Sequence, residues 1–102
     1  MGRKCRLSPD AERDLDQVFE FVLLNDGIDA AAYVVAGIEN ACAKVARMPG
    51  IGHRREDYTT RDLRFYTIWS YYIVYKPDSD PLEIVRVVHS ARDISAALAE
   101  DP

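Results

Sequence analysis

Leu63-Arg64-Phe65-Tyr66-Thr67-Ile68, then Trp69-Ser70, then Tyr71-Tyr72-Ile73-Val74-Tyr75-Lys76 is the stretch whose reading decides the fold. Two runs of aromatic and β-branched residues flank a two-residue break, which predicts a β-hairpin. A third such run, Leu82 to His89, follows Pro77-Asp78-Ser79-Asp80-Pro81, whose prolines and aspartates form a strong turn signal. Alternation sends Tyr71, Ile73 and Tyr75 to one face and Tyr72, Val74 and Lys76 to the other. One face must pack under the rest of the chain. Neither face reads as polar, so the second is covered by a partner or shielded by its own aromatic rings.

Upstream of the hairpin the period changes from two to 3.6. A short strand is expected around Lys4 to Leu7. Ser8-Pro9-Asp10 is a helix start: Ser8 can cap the free N–H groups, Pro9 suits the first helical position, and Asp10 and Glu12 meet the positive end of the dipole. Ala11, Leu15, Val18, Phe19 and Val22 then share one face, while Asp14, Asp16, Gln17 and Glu20 fall elsewhere and are expected in solvent. Asn25-Asp26-Gly27 ends this helix. A second helix is expected from near Asp29, its cap, to Met48, where Pro49-Gly50 stops it. Ala31, Val35, Ile38, Cys42 and Val45 form its core face. Ala30, Gly37 and Ala41 are small enough for another helix to approach. The short link makes the two helices an antiparallel hairpin. Downstream, Ala91 to Leu98 forms a short last helix with Asp93 or Ser95 near its start. The order β-α-α-β-β-β-α gives an α+β fold, a helical hairpin packed on a mostly antiparallel four-stranded sheet, with residues 1–102 as one domain.

Composition narrows the function. The 102 residues carry a net charge of −4, an unusual balance for a protein that wraps bare nucleic acid. The charge is uneven: residues 10–29 hold seven acidic groups and one basic, whereas residues 44–64 hold six basic and three acidic. No apolar run is long enough to span a membrane. Met1-Gly2-Arg3-Lys4-Cys5-Arg6 lacks the apolar stretch of a secretory signal, and Arg6 stands where a myristoylation signal needs Ser or Thr. Cys5 and Cys42 are expected as reduced, buried thiols in a cytoplasmic protein. Nucleotide-loop, zincin and serine-hydrolase motifs are absent, and His53 and His89 have no second ligand at metal spacing. No cofactor or metal is expected.

Four groupings hold the chemistry that remains. Pro49-Gly50-Ile51-Gly52-His53-Arg54-Arg55 reads as a phosphate- or acid-binding loop, or as a turn with a solvated basic end. Arg64 and Tyr66 read as a clamp for a base, or as an ion pair with packing beside it. The rings of Phe65, Tyr66, Trp69, Tyr71, Tyr72 and Tyr75 read as a covered or a self-shielded sheet face. Arg86 and His89-Ser90-Ala91-Arg92-Asp93 read as an acid–base site with anion-steadying guanidiniums, or as a hydrogen-bonded strand exit.

Taken in chain order, Leu7-Ser8-Pro9-Asp10-Ala11-Glu12-Arg13-Asp14-Leu15, Met48-Pro49-Gly50-Ile51-Gly52, Leu63-Arg64, Tyr72-Ile73-Val74-Tyr75 and Glu83-Ile84-Val85-Arg86-Val87-Val88-His89-Ser90-Ala91-Arg92-Asp93 resemble the ParE branch of the RelE/ParE toxin superfamily. The resemblance runs from about residue 5 to residue 98. It implies the toxin of a bacterial type II toxin–antitoxin module that binds DNA gyrase rather than catalysing a reaction. It further implies a ParD-like ribbon–helix–helix antitoxin as partner in a hetero-oligomer, with operator DNA reached only through that antitoxin. The other branch, ribosome-dependent messenger RNA endoribonucleases, would use His89 as acid or base with Arg64 and Arg86 as phosphate clamps. The negative charge speaks against that branch, since it opposes approach to ribosomal RNA. Candidate partner contacts are Arg54, Arg55, Arg64, Tyr66, Arg86, His89 and Arg92. Trp69-Ser70 departs from the glycine-containing turn common in the family.

Overall fold

The computed structural model describes residues 4–99. The readings placed on Met1, Gly2 and Arg3 lie outside them. The chain runs β1 (Cys5–Leu7), α1 (Pro9–Asp26), α2 (Ile28–Arg47), β2 (Arg64–Ile68), β3 (Tyr71–Lys76), β4 (Leu82–His89) and α3 (Ile94–Ala99). The sheet order is β1-β4-β3-β2, with β1 parallel to β4 and the other pairs antiparallel.

Ser8 caps α1 as its sequence suggests, and does more. Its Oγ accepts the Ala11 N–H at 3.0 Å and donates to the Val85 carbonyl at 2.7 Å, so the cap also fixes the helix on β4. The link to α2 is Gly27 alone, at φ 96°, a conformation that favours glycine. α2 therefore starts at Ile28, one residue before the expected cap. Asp29 lies inside the first turn, and no side chain caps the helix. Asp93 caps α3: its Oδ1 accepts the Ala96 N–H at 3.1 Å.

The helical hairpin covers one face of the sheet. Leu15, Val18, Ile38, Cys42 and Val45 pack there on Ile73, Tyr75, Ile84 and Val87. Fully burying each large aliphatic side chain contributes about 1.5–3 kcal/mol. The second sheet face carries Phe65, Val74, Val85 and Val88, and it is covered by the chain itself. Ile94, Ala97 and Leu98 of α3 close over it, with Tyr58 and Tyr72 beside them. The expectation of a partner on that face gives way to cover by α3, which lies close in sequence to β4.

The sheet departs from regular geometry in two places. A bulge shifts the β3–β4 register, so Val74 faces Arg86 while Tyr75 faces Ile84. The two-residue alternation of β4 breaks at this point. Ile84 and Val87 join the front cluster, Val85 and Val88 join the back one, and Arg86 reaches between the layers. At the β2–β3 turn, Trp69 holds a left-handed φ of 51°, at a cost of roughly 1–2 kcal/mol for a residue other than glycine. Its ring lies on α2 at Gly37, where a Cβ would stand 2.3 Å from Trp69 Cη2. A glycine inside a helix costs about 1 kcal/mol. The small residue thus admits a tryptophan, not the neighbouring helix its sequence suggested.

Candidate functional site

The acidic and basic candidates separate into one buried node and three surface groups. At the node, Asp14 is 6% exposed and Arg86 7%. Arg86 Nε donates to Asp14 Oδ2 at 2.7 Å and its Nη2 to Oδ1 at 3.0 Å; Nη1 reaches the Ala97 carbonyl at 2.8 Å. Asp14 Oδ2 also accepts the Val87 N–H at 2.9 Å. A charge-assisted pair of this kind binds α1, β4 and α3 into one unit. The expectation of a solvated Asp14 is thereby corrected. Its helix face points at an edge of β4 that β1, paired only with Leu82 to Ile84, leaves uncovered.

The first surface group is the β4–α3 corner. His89 is exposed; its Nδ1 accepts the Ala91 N–H at 3.0 Å, and its ring meets Tyr71 edge-on at 5.2 Å. Arg92, His89, Gln17 and Asp14 line a groove of about 460 Å³ together with the apolar Val18, Phe21, Tyr71 and Val87. Burial raises the Tyr71 phenol above its ordinary value. The groove offers an apolar seat beside cationic and imidazole groups.

The second group is the 49–64 segment. Tyr75 anchors its start: the phenol donates to the Pro49 carbonyl at 2.7 Å and accepts the Gly52 N–H at 2.9 Å. Arg64 Nη1 donates to the Gly52 carbonyl at 2.8 Å, and a His53–Phe65 bridge seals this part of the β2 edge. The loop that read as a phosphate site thus has the N–H groups of Gly52 and His53, and the carbonyls of Pro49, Gly52 and His53, bound within the fold. Arg54 is exposed and pairs with Asp62 at 3.1 Å.

The third group centres on Arg55. Its guanidinium forks onto Asp57 at 3.0 and 2.9 Å, donates to Tyr72 Oη at 3.2 Å, and lies 4.2 Å over the Tyr58 ring. The hydrogen bond from Arg55 lowers the Tyr72 phenol below its ordinary value, and the same guanidinium lowers the Asp57 carboxyl. Tyr66 sits apart from this group, on the helical side, with Lys44 Nζ 5.6 Å from its ring centre.

The sheet register keeps Arg64 and His89 apart. Arg64 faces Tyr75 and His89 faces Tyr71. Four residues of β3 separate these positions, about 13 Å along the strand, with two strand spacings of about 5 Å across it. Arg86, the third member of the set, is buried against Asp14. His89, Arg64 and Arg86 therefore do not meet around a common point. Among the described residues no group of three or more His, Cys, Asp or Glu can hold a metal ion, and no helix is long and apolar enough to cross a membrane.

The comparisons with known proteins agree with this architecture. The model of the ParE toxin of type II toxin–antitoxin system, parDE, matches residues 5–94. Toxin ParE3 of Caulobacter vibrioides is 27% identical over 100 residues, which span 98% of each chain. A solved structure described as the chromosomal ParDE TA system from P. aeruginosa superposes with a TM-score of 0.73 at 17% identity, covering 85% of this chain and 95% of the other. That structure supports the fold; the family match, which runs from β1 into α3, supports more. The chain belongs to the ParE toxin family of type II toxin–antitoxin systems.

Proposed function

We propose that this toxin acts by gripping protein partners: it inhibits DNA gyrase by binding and is neutralised in the cytoplasm by a ParD-like antitoxin, through which alone it reaches operator DNA. The observation that carries the reading is the dispersal of its cationic groups. A nuclease must converge positive groups on one phosphate. Here Arg86 is buried on Asp14, Arg64 holds the 52–53 loop, and His89 stands at the far end of the sheet. A net charge of −4 is also unfavourable for docking on ribosomal RNA.

The surfaces fit two protein contacts. The corner groove, which combines apolar side chains with Arg92 and His89, suits an antitoxin segment laid along α1. The exposed Arg54, with Arg55 and Arg64 in the same 49–64 segment, suits an acidic surface of the target. A supercoiling assay with purified toxin tests the first half of the reading. Inhibition at toxin excess, without cleavage of ribosome-bound messenger RNA, is the expected result. Unimpaired gyrase at large excess overturns it. Arrest that persists after His89→Ala removes the nuclease alternative; arrest lost with gyrase still inhibited in vitro restores it.

A further inference from the structure

Two costly local arrangements converge on one exposed spot. Trp69 adopts a left-handed backbone, and α2 carries a glycine at position 37 so that the indole can lie on it. After that expense the indole is still 51% exposed, and Tyr33, whose ring is tilted against it with centres 5.8 Å apart, is 71% exposed. Packing for stability alone would have buried these rings. Strain held at an exposed aromatic pair is the signature of a prepared contact.

The surroundings give the contact its shape and sign. Tyr33, Ala36, Asn40 and Ala43 are all exposed and recur at spacings of three, four and three, so they form one straight line along α2. Apart from Tyr33 these are small or short, which leaves room for a second helix at close range. Of the large apolar side chains exposed among the described residues, all but Met48 lie on the tip of the helical hairpin or at Trp69; Leu24 is 78% exposed and Ile28 58%. From Asp16 to Ala43 the sequence has five acidic residues and no Lys, Arg or His, before Lys44 and Arg47 in the last turn of α2. Asp29, one turn before Tyr33, and Glu39, next to Asn40, are both exposed.

We infer that the outer face of α2, with the Trp69–Tyr33 pair as anchor, is a docking site for a cationic amphipathic helix of a partner protein. The partner would place an apolar side chain on the indole and Lys or Arg opposite Asp29 and Glu39. The charge also selects against other occupants. An anionic bilayer or a nucleic acid would be repelled by Asp29 and Glu39, and a second copy laid parallel would bring acid against acid. The inference stands on this face and does not rest on the gyrase reading.

Trp69 is the chain's single tryptophan, so its emission reports the site directly. The probe is a designed peptide of about five helical turns, free of aromatic residues, with a Leu stripe flanked by Lys. A matched peptide has Glu in place of every Lys. The Lys peptide is expected to shift Trp69 emission to the blue and to saturate. Its affinity should fall about tenfold or more in high salt, and by at least about tenfold in Tyr33→Ala and in Ala36→Arg. Both substitutions are on exposed positions, and thermal melts confirm that the fold persists. Equal binding of the two peptides, affinity unchanged in both variants, or no shift at any attainable Lys-peptide concentration overturns the inference. So does a concentration-dependent shift of the toxin alone, which would assign the face to a second copy.

Discussion

Removing the Asp14 carboxylate takes the counter-charge from a buried guanidinium. Arg86 would lose the carboxylate that its Nε and Nη2 donate to, and the Val87 N–H would lose its partner. Breaking a buried pair from one side typically costs about 3–5 kcal/mol, whereas replacing both partners with apolar groups costs far less. Asp14→Ala is therefore expected to lower stability by about 3–5 kcal/mol in urea titrations, and Asp14→Leu with Arg86→Met to recover much of that loss. A single-mutant cost below about 1 kcal/mol would show that the node behaves as a solvated pair. Glu83 illustrates the opposite case of a surface carboxylate. Burial alone would raise it, but Lys76 at 3.2 Å and Arg6 at 3.1 Å outweigh that and hold it below its ordinary 4.5. A carboxyl lowered by folding stabilises the protein at pH values above its unfolded value and loses that effect as pH falls through its folded value. Glu83→Gln is thus expected to lower the melting temperature at pH 7 by an amount worth about 1 kcal/mol or less. The gap between variant and parent should close in acid below pH 4.5. A gap that stays constant with pH would mean that the amide merely packs badly.

Between the residue and the whole lie the loops, and Tyr75 decides the fate of one. Its ring is fully buried, its phenol bridges Pro49 and Gly52, and a Cβ on Gly52 would stand 2.5 Å from that oxygen. Tyr75→Phe keeps the ring but leaves a buried N–H unpaired, at a cost of about 1–3 kcal/mol. Hydrogen exchange at Gly52 should accelerate in that variant while α1 and α2 keep their protection; unchanged exchange would place the loop's anchor on Arg64 instead. The elements themselves were legible. β3 and β4 begin and end where their aromatic and β-branched runs do, and α1 begins at the Ser8 cap, because these signals act within a few residues. Asp14 was not legible, since its helix phase reads as solvent until β4 is known to leave an edge open beside it, and its partner lies 72 residues away. Gly37 was half legible: its small size was visible, but the occupant, an indole from the β2–β3 turn, comes from a turn conformation that the sequence does not announce. In the same way Arg54, Arg55, Arg64 and Arg92 were visible as charges, while the Asp57 fork and the Tyr75 anchor, which set what each cation is free to do, depend on loop paths. The exposed tip of the helical hairpin was hidden by the same limit, because apolar residues at helical spacing look like core until the sheet beneath is seen to end.

At the scale of the whole molecule the two clusters on opposite faces of the sheet are coupled through Arg86, which hydrogen-bonds α1 on one side and α3 on the other. If that coupling makes the described fold one cooperative unit, a probe deep in the front cluster must report the loss of a contact at its margin. Cys42 is such a probe. It is 1% exposed, and burial, with smaller contributions from Cys5 and Glu39, pushes its thiol up to about 12. Near pH 8 the folded protein therefore presents almost no Cys42 thiolate, and alkylation must wait for an opening that restores an ordinary thiol near 9. For a thiol raised by folding, the sign is the reverse of that for Glu83: its stabilising effect is present below pH 9 and is lost as pH rises from there towards 12. Cys5, on a three-residue strand and only half-buried, is open to local fraying and serves as the internal control. Under conditions where closing outruns alkylation, the Cys42 rate follows the equilibrium population of the open state. A destabilisation of about 3 kcal/mol by Asp14→Ala should then speed Cys42 alkylation about 100-fold, while Cys5 changes much less. Mass spectrometry of the two cysteine peptides over a time course measures both. Cys42 labelling at the pace of Cys5 in the unaltered toxin would mean that the helical layer lifts by itself, and Arg86 would then join α3 to α1 without making the two sides of the sheet unfold together.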